Sequence, residues 1–353
     1  MSTKSAARSA GVHPLPLVAR WRMALNGCNV PQIELADPIT RWLVISRSCV
    51  FTMSLTSGLL GLMIAAEQAA LGRGQVNWLL GALAVLGVVI AHASNNLIND
   101  YMDVRQGVDT EDYPRAQYSP HPILGGLTTP RGLLVAALIL NLIDAAIMIY
   151  LYLQLGIFVV YFALAGFLLS FFYTNVLKRA GLGEITALVV WGPLMIGGTA
   201  YVALGGQPLT PDIWMLTLPY GLIVASVLVG KHIDKIGPDI KVGVRTIPVL
   251  LGEERARILN KATFILFYVL ILGLVWLGYT GLGVLLTFLA LGRLRLTWKM
   301  YSEPKPQKAP KGWTVWPLWY VGWAMHFNRQ AGEFFTIGLI INIALPYVTG
   351  LFN

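Results

Sequence analysis

Apolar runs of about 20 residues, separated by short polar stretches, recur along the whole chain. Each is long enough to cross the hydrocarbon core of a bilayer as a helix. The pattern predicts nine spans, at residues 44–71, 76–98, 132–153, 156–174, 185–204, 213–230, 262–279, 281–298 and 333–351. Spans three and four meet at "YLQLGI" and spans seven and eight at "LGYTGLG", which leaves room only for hairpin turns. Residues 1–43 form a lead-in that lacks the short apolar core and small-residue cleavage site of a signal peptide. Within the junction, "PITRWLVISR" reads as a segment lying at the membrane interface before the first span. Two domains are thus expected: a lead-in over 1–43 and a nine-helix membrane domain over 44–353.

Composition supports the membrane reading. Of 353 residues, 56% are hydrophobic and 12% charged, against about 25% charged in a soluble domain; the mean hydropathy is +0.64. Net charge, +9 at neutral pH, then sets orientation through the excess of Lys and Arg on cytoplasmic loops. With the N-terminus placed inside, 25 of the 26 Lys and Arg fall on one side and only Arg73 on the other. The N-terminus and every long loop are therefore expected in the cytoplasm, with the C-terminus outside. The charge reads as an inside-facing basic surface and not as a nucleic-acid site, since no soluble basic domain accompanies it. Cys28 and Cys49 are the only cysteines. Neither falls on the outer face, and no CxxC or Cys/His metal spacing exists, so no disulfide is expected.

One stretch departs from the apolar pattern. "NNLINDYMDVRQGVDTED", residues 95–112, follows directly on "LLGALAVLGVVIAHAS". On a helix Asn96, Asp100 and Asp103 fall at i, i+4 and i+7 and share one face, with His92 one turn earlier. Gly107 is expected to break the helix, and Asp109, Glu111 and Asp112 follow in a loop. A solvated helix end seldom needs two Asn, and cytoplasmic ends favour Lys and Arg. Aligned carboxylates with an amide are hard oxygen ligands of the kind that hold Mg²⁺, and a cation would relieve their mutual repulsion. A second cluster, "GKHIDKIGPDIKVGVRTIPVLLG" at 230–252, closes the sixth span. Asp234 and Asp239 are five apart, wrong for one helical face, but Gly237-Pro238 between them would turn the backbone and bring the second carboxylate back. Lys231, Lys235, Lys241 and Arg245 surround the pair, and a salt-bridged loop would look the same. Both clusters close even-numbered spans four apart. That spacing predicts an all-α polytopic fold of two four-helix repeats plus one helix around a central cavity, with two acidic patches serving a polyanion such as a diphosphate.

These residues resemble a known family. "NLINDYMDVRQGVDTE" is similar to the first aspartate-rich motif of the UbiA-type intramembrane prenyltransferases, and most similar to the 1,4-dihydroxy-2-naphthoate prenyltransferases of menaquinone synthesis, which also place Gly-x-Asp after the Asn-Asp-x-x-Asp core. "FFYTNVLKRAGLGEITALVVWGPLMIGGTAYVALGG", residues 171–206, resembles that subgroup in its Tyr-Thr, Gly-Leu-Gly-Glu and Gly-Pro elements, and "GVRTIPVLLG" resembles the end of the second motif. The likeness runs from about residue 44 to the C-terminus. One departure stands out: the subgroup shows Asn-Asn-x-Arg-Asp, a second Asp four residues later, then Gly-Lys-Arg-Thr, whereas this chain reads "GKHIDKIGPDIKVGVRT". Asp234, Asp239 and Arg245 carry over; the Asn pair and the Arg do not.

The resemblance implies a nine-helix fold and transfer of a polyprenyl group from its diphosphate to a lipophilic, aromatic acceptor, with Mg²⁺ neutralising the leaving diphosphate. It assigns Asn96, Asp100, Asp103, Asp109, Asp234 and Asp239 to metal and diphosphate, and Lys178, Lys235 and Arg245 to direct diphosphate contact. Tyr173 and His92 would line the cavity. Hydroxybenzoate, glycerol-phosphate ether and porphyrin-type acceptors are alternatives within the same superfamily. An ion-coupled transporter is the rival class, but transporters place their charges near the bilayer midplane on broken helices. The dense Asp-Gly-x-x-Ala-Arg signature of CDP-alcohol phosphotransferases is absent. Outside the motifs, Asp144 lies within span three, where its neighbour Asn141 is a possible partner. Glu184 opens span five, where a negative charge suits the helix dipole. The Trp-rich "KGWTVWPLWYVGW" at 311–323 reads as an interfacial belt.

Overall fold

A computed structural model describes residues 14–350; position 351 of the ninth predicted span and the C-terminal residue expected outside fall beyond the described residues. Every regular element among the described residues is helical. Among the described residues, six helices are long and apolar enough to cross a membrane: Ser48–Ala70, Trp78–Arg105, Pro130–Leu155, Gly183–Ala203, Pro211–Ile233 and Glu253–Trp276. They coincide with spans one, two, three, five, six and seven of the sequence reading. The fourth predicted span is a shorter apolar helix, Phe158–Phe172. The eighth is divided between a 3₁₀ stretch, Leu282–Ala290, and the helix Leu291–Ser302. The ninth lies within the 31-residue helix Tyr320–Gly350.

Local chemistry explains where the elements stop. Asp37 caps the helix Pro38–Ile45, its side chain accepting from the Thr40 amide at 2.9 Å, with Pro at the first helical position where its missing N–H costs nothing. The first predicted span does not run through from residue 44, because Arg47 adopts a left-handed backbone (φ 58°) and the chain re-enters through a 3₁₀ turn, Ser48–Val50. Gly107 (φ 69°) ends Trp78–Arg105 as expected. The amides of Val108 and Gly107 return to the carbonyls of Asp103 (2.8 Å) and Val104 (3.0 Å), which satisfies two of the helix's terminal acceptors. Gly156 and Gly278 make the two tight hairpins. The fifth span bulges into π geometry over Val190–Gly197, where Pro193 removes a backbone donor.

The chain divides into two compact units. The first comprises residues up to 52, 91–142 and 306–318. Ala24, Val30, Ile33, Ala36 and Val44 form one of its buried apolar clusters, and Ile45, Leu97, Leu133 and Ala137 another. The second comprises 53–90, 143–305 and from 319 onward. One of its apolar clusters joins Leu80, Ala84, Leu151, Val159, Tyr201 and Val202; an aromatic one joins Phe264, Phe267, Tyr268 and Phe327, ring centroids 5.0–6.1 Å apart. Pro211–Ile233 is 72% buried over its most apolar stretch, against 11% for Pro130–Leu155, which presents its side chains outward. A methyl carbon on Gly338 would lie 2.4 Å from the Gly283 carbonyl oxygen. Only glycine lets these backbones approach so closely, the small-residue packing common between membrane helices.

Candidate active site

In the first unit, the end of Trp78–Arg105 delivers the acidic stripe. Asn96 and Asp100 are both buried and both meet the segment just before the first span. The Asn96 amide donates to the Ser46 carbonyl at 3.0 Å. Asp100, wholly buried, is paired with two guanidiniums. Arg115 makes a bidentate contact, Nε to Oδ1 at 3.1 Å and Nη2 to Oδ2 at 2.8 Å. Arg47 forms a second ion pair with the same carboxylate, its Nε at 3.3 Å from Oδ2 and its Nη2 against Oδ1. Fork-to-carboxylate pairs of this kind are the strong ones. Burial, followed by the charge of Arg115, holds the Arg47 guanidinium below the usual arginine value.

The turn at Gly107 carries Asp109 back over the helix end, its amide bonding to the Asp103 carbonyl at 3.1 Å. Asp109 is buried and lies 3.2 Å from His121 Nε2. His121 Nδ1 faces the amides of Ile123 and Leu124 at 3.2 and 3.3 Å and so accepts. Nε2 therefore carries the proton and donates to Asp109, and burial pushes the imidazole below its ordinary value, in keeping with a neutral ring. One ligand atom each from Asp100, Asp109 and His121 lies within 4.8 Å of the others. The two carboxylates fit a hard divalent cation. His121, with its proton aimed at Asp109, is placed to orient a carboxylate in the way outer-shell partners do. Asp103 is half-buried, with one oxygen lacking a hydrogen-bond partner. His92 is buried, its ring 5.6 Å from that of Phe51.

In the second unit, the backbone turns earlier than expected. Helix Pro211–Ile233 ends at Asp234, and a new short helix, Ile236–Lys241, contains Gly237-Pro238 within its first turn. Proline is tolerated there because the first helical amides have no partner to lose, so the bend falls at Asp234–Lys235 and not at Gly-Pro. The two acids engage different partners. Asp234 accepts three backbone amides, Trp319 at 2.8 Å, Tyr320 at 3.1 Å and Val321 at 3.0 Å, thereby capping the helix Tyr320–Gly350; Lys305 Nζ is 3.9 Å away. Burial outweighs those amides and pushes its carboxyl up to about 6. Asp239 is fully buried and lies 3.8 Å from Lys235 Nζ. Lys178, also buried, follows the π turn Tyr173–Leu177, and the Tyr173 ring packs beside Gly183. Arg245 is exposed.

Several groups escaped the sequence reading. Arg47 and Arg115 entered it only as members of a charge count, and His121 not at all, although His121-Pro122 in an acidic loop was a visible signal. Glu184 does open its helix, as the dipole argument held, but it is buried and bonded to His232 Nδ1 at 2.7 Å. Asn141 shows no bond to Asp144; Asp144 Oδ1 instead lies over Gly87, 3.1 Å from where a methyl carbon would stand. The expectation of no disulfide is overturned: Cys28 and Cys49 are joined, with Cα atoms 5.2 Å apart. A charge count addresses the compartment, whereas pairing depends on Leu17–Gly27 ending in a left-handed turn at Cys28 that faces residue 49.

Residues 56–326 match the UbiA prenyltransferase family. The chain is 30% identical over 233 residues to the digeranylgeranylglyceryl phosphate synthase of Natronomonas pharaonis, covering 65% of this chain and 78% of that protein. It is 23% identical over 332 residues to the 1,4-dihydroxy-2-naphthoate octaprenyltransferase of Bacillus subtilis, covering 91% and 97%. The fold is that of a UbiA homolog from Archaeoglobus fulgidus solved with GPP and Mg²⁺, with a TM-score of 0.57 at 14% identity over 84% of this chain and all of that one. With a match across most of its length, the chain belongs to the UbiA prenyltransferase family, an integral membrane prenyltransferase.

Proposed function

We propose that this prenyltransferase moves a polyprenyl group from its diphosphate to an aromatic, naphthoate-type acceptor in a Mg²⁺-dependent reaction. The observation that carries the proposal is the buried Asp100–Asp109 pair beside two guanidiniums. Two acids there suit one divalent cation, and two fixed arginines suit the phosphate oxygens that a metal alone leaves exposed. Mg²⁺ bound at these carboxylates supplies electrostatic stabilisation of charge developing on the leaving diphosphate, worth several kcal/mol. The UbiA homolog from Archaeoglobus fulgidus bound to GPP and Mg²⁺ supports that choice of metal.

The chain's own groups then divide the work. Asp100 and Asp109 would hold the cation, Asn96 and Asp103 flank Asp100 on its helix, and His121 fixes the orientation of Asp109. Arg47 and Arg115 exchange part of their pairing with Asp100 for phosphate oxygens. In the second motif, Lys178, Lys235 and Arg245 are assigned to diphosphate contact and Asp239 to metal. Asp234, with its oxygens on three amides, serves that motif chiefly by anchoring Tyr320–Gly350. Tyr173 is assigned to the lining beside the reacting carbon, and the apolar helices give the isoprenoid chain surroundings that keep water from the carbocation.

The naphthoate acceptor rests on the motif likeness over 96–111 and 171–206 and on the near full-length alignment with the Bacillus subtilis enzyme. A glycerol-phosphate lipid is the second reading, favoured by the higher identity to the Natronomonas pharaonis synthase. Purified protein offered a polyprenyl diphosphate with each acceptor in turn decides between them. Prenylated naphthoate supports the proposal, and product from the glycerol-phosphate lipid alone overturns the acceptor assignment. No product from any acceptor, with metal present, overturns the proposed reaction.

A further inference from the structure

The two arginines on Asp100 share an anchor, and the anchor is the disulfide. Cys28 and Cys49 close a loop across a separation of 21 residues. On one side, the Cys28 carbonyl accepts from the Ser119 hydroxyl at 2.6 Å, and the Ser119 carbonyl accepts from Arg115 Nη1 at 3.4 Å. Asn29, the next residue, donates to the Tyr118 carbonyl at 3.3 Å. The helix that carries Arg115, Pro114–Tyr118, has only 5 residues, too few to hold itself without outside contacts. On the other side, Arg47 precedes Cys49 by two residues and sits in the left-handed region, at φ 58°. A residue with a side chain persists there only when its surroundings hold it, and the disulfide is the covalent part of those surroundings.

We infer that the Cys28–Cys49 disulfide is a redox-controlled positioning element for the first aspartate motif. Closed, it holds Arg47 and Arg115 where they pair with Asp100 and meet the diphosphate. Open, it releases both and weakens prenyl diphosphate binding. The reductant is a dithiol. One of its thiolates attacks the sulfur of Cys49, which is half-buried where Cys28 is fully buried, and Cys28 leaves as a thiolate. The second thiol of the reductant then displaces Cys49 from the mixed disulfide. Two electrons and two protons pass to the protein, leaving two cysteine thiols and one cyclic oxidised reductant. The inference rests on the diphosphate role proposed for the two arginines.

The test uses the full-length protein in detergent. Dithiothreitol is applied, the thiols are counted by the mass added by a maleimide, and the Michaelis constants for both substrates are measured before reduction, after it and after reoxidation with diamide. Reduction is expected to raise KM for the prenyl diphosphate about tenfold, the scale of one charge-assisted hydrogen bond. The KM for the acceptor should stay within about twofold, and reoxidation should restore the first value. The Cys28→Ser/Cys49→Ser protein should behave as the reduced form and ignore dithiothreitol. A bond that stays closed under reductant in the folded protein overturns the inference, as does full reduction with an unchanged KM. If the double variant does not fold, the reduction and reoxidation cycle on the unaltered protein carries the test. Oxidised protein that binds a prenyl diphosphate but transfers it to no acceptor sinks the proposed reaction instead, and that binding still reports on the redox effect.

Discussion

Replacing Asp100 by Asn keeps the shape of the side chain and removes one charge from the centre of the first motif. Asp100 is wholly buried and carries two guanidiniums, one of them bidentate. Breaking a buried pair by removing one partner costs about 3–5 kcal/mol, most of it the penalty of the charge left behind. Asn keeps one acceptor oxygen, so the lower end of that range is expected for stability. The catalytic loss is separate. Removing one electrostatic contact to a developing anion costs about 10²–10³ in turnover, close to 3–4 kcal/mol. Prenyl transfer per folded molecule should therefore fall by two to three orders of magnitude, and the melting temperature should drop. Adding Arg115→Gln should cost less than the sum of the single changes, because it removes one of the two cations stranded beside residue 100. Glu111→Gln, in the exposed part of the same loop, is the control and should leave both readouts within about 0.5 kcal/mol. Turnover in Asp100→Asn within threefold of the unaltered protein, at equal folded fraction, would refute the assignment of this carboxylate to the metal and diphosphate.

Three further outcomes follow from the same reasoning. Transfer should vanish in EDTA and return with Mg²⁺, since hard oxygen ligands dominate the acidic site; full activity in chelator counts against it. Asp234→Asn sets an NH2 group where a carboxylate oxygen accepted backbone amides and should cost about 1–3 kcal/mol of stability, the range for a buried donor left unsatisfied, and lower turnover far less than Asp100→Asn; a turnover loss as large as that of Asp100→Asn, at equal folded fraction, would restore Asp234 to the metal site. On the orientation expected from the charge asymmetry, with Glu111 and Lys311 in the cytoplasm and Arg73 outside, single cysteines at those positions, in a background without Cys28 and Cys49, should be respectively protected from and labelled by an impermeant thiol reagent on intact cells. The opposite labelling pattern would invert the orientation.

Much of the scaffold was legible in the order of residues, because the features concerned are local. Among the described residues, six of the nine apolar runs are helices long and apolar enough to span a membrane, and Gly107, Gly156 and Gly278 mark ends within a turn of the boundary, as Asp37-Pro38 does for the short helix before the first span. The alignment of Asn96 with Asp100 followed from helical periodicity alone. Periodicity reads less well where the backbone leaves α geometry, as at Arg47, over the π stretch around Pro193 and along the 3₁₀ stretch Leu282–Ala290. What occupies Asp100 was not legible. Its partners come from residues 53 positions before it and 15 after it, and a charge count treats both arginines as interchangeable markers of a membrane face. His121 on Asp109, the Cys28–Cys49 bond and the capture of the Trp319, Tyr320 and Val321 amides by Asp234 likewise join residues from 12 to 87 positions apart. A local pattern fixes which face of a helix a side chain occupies. Which distant group meets it there is decided only when burial removes the alternative of water, since a charge buried without a partner costs more than the contact that satisfies it.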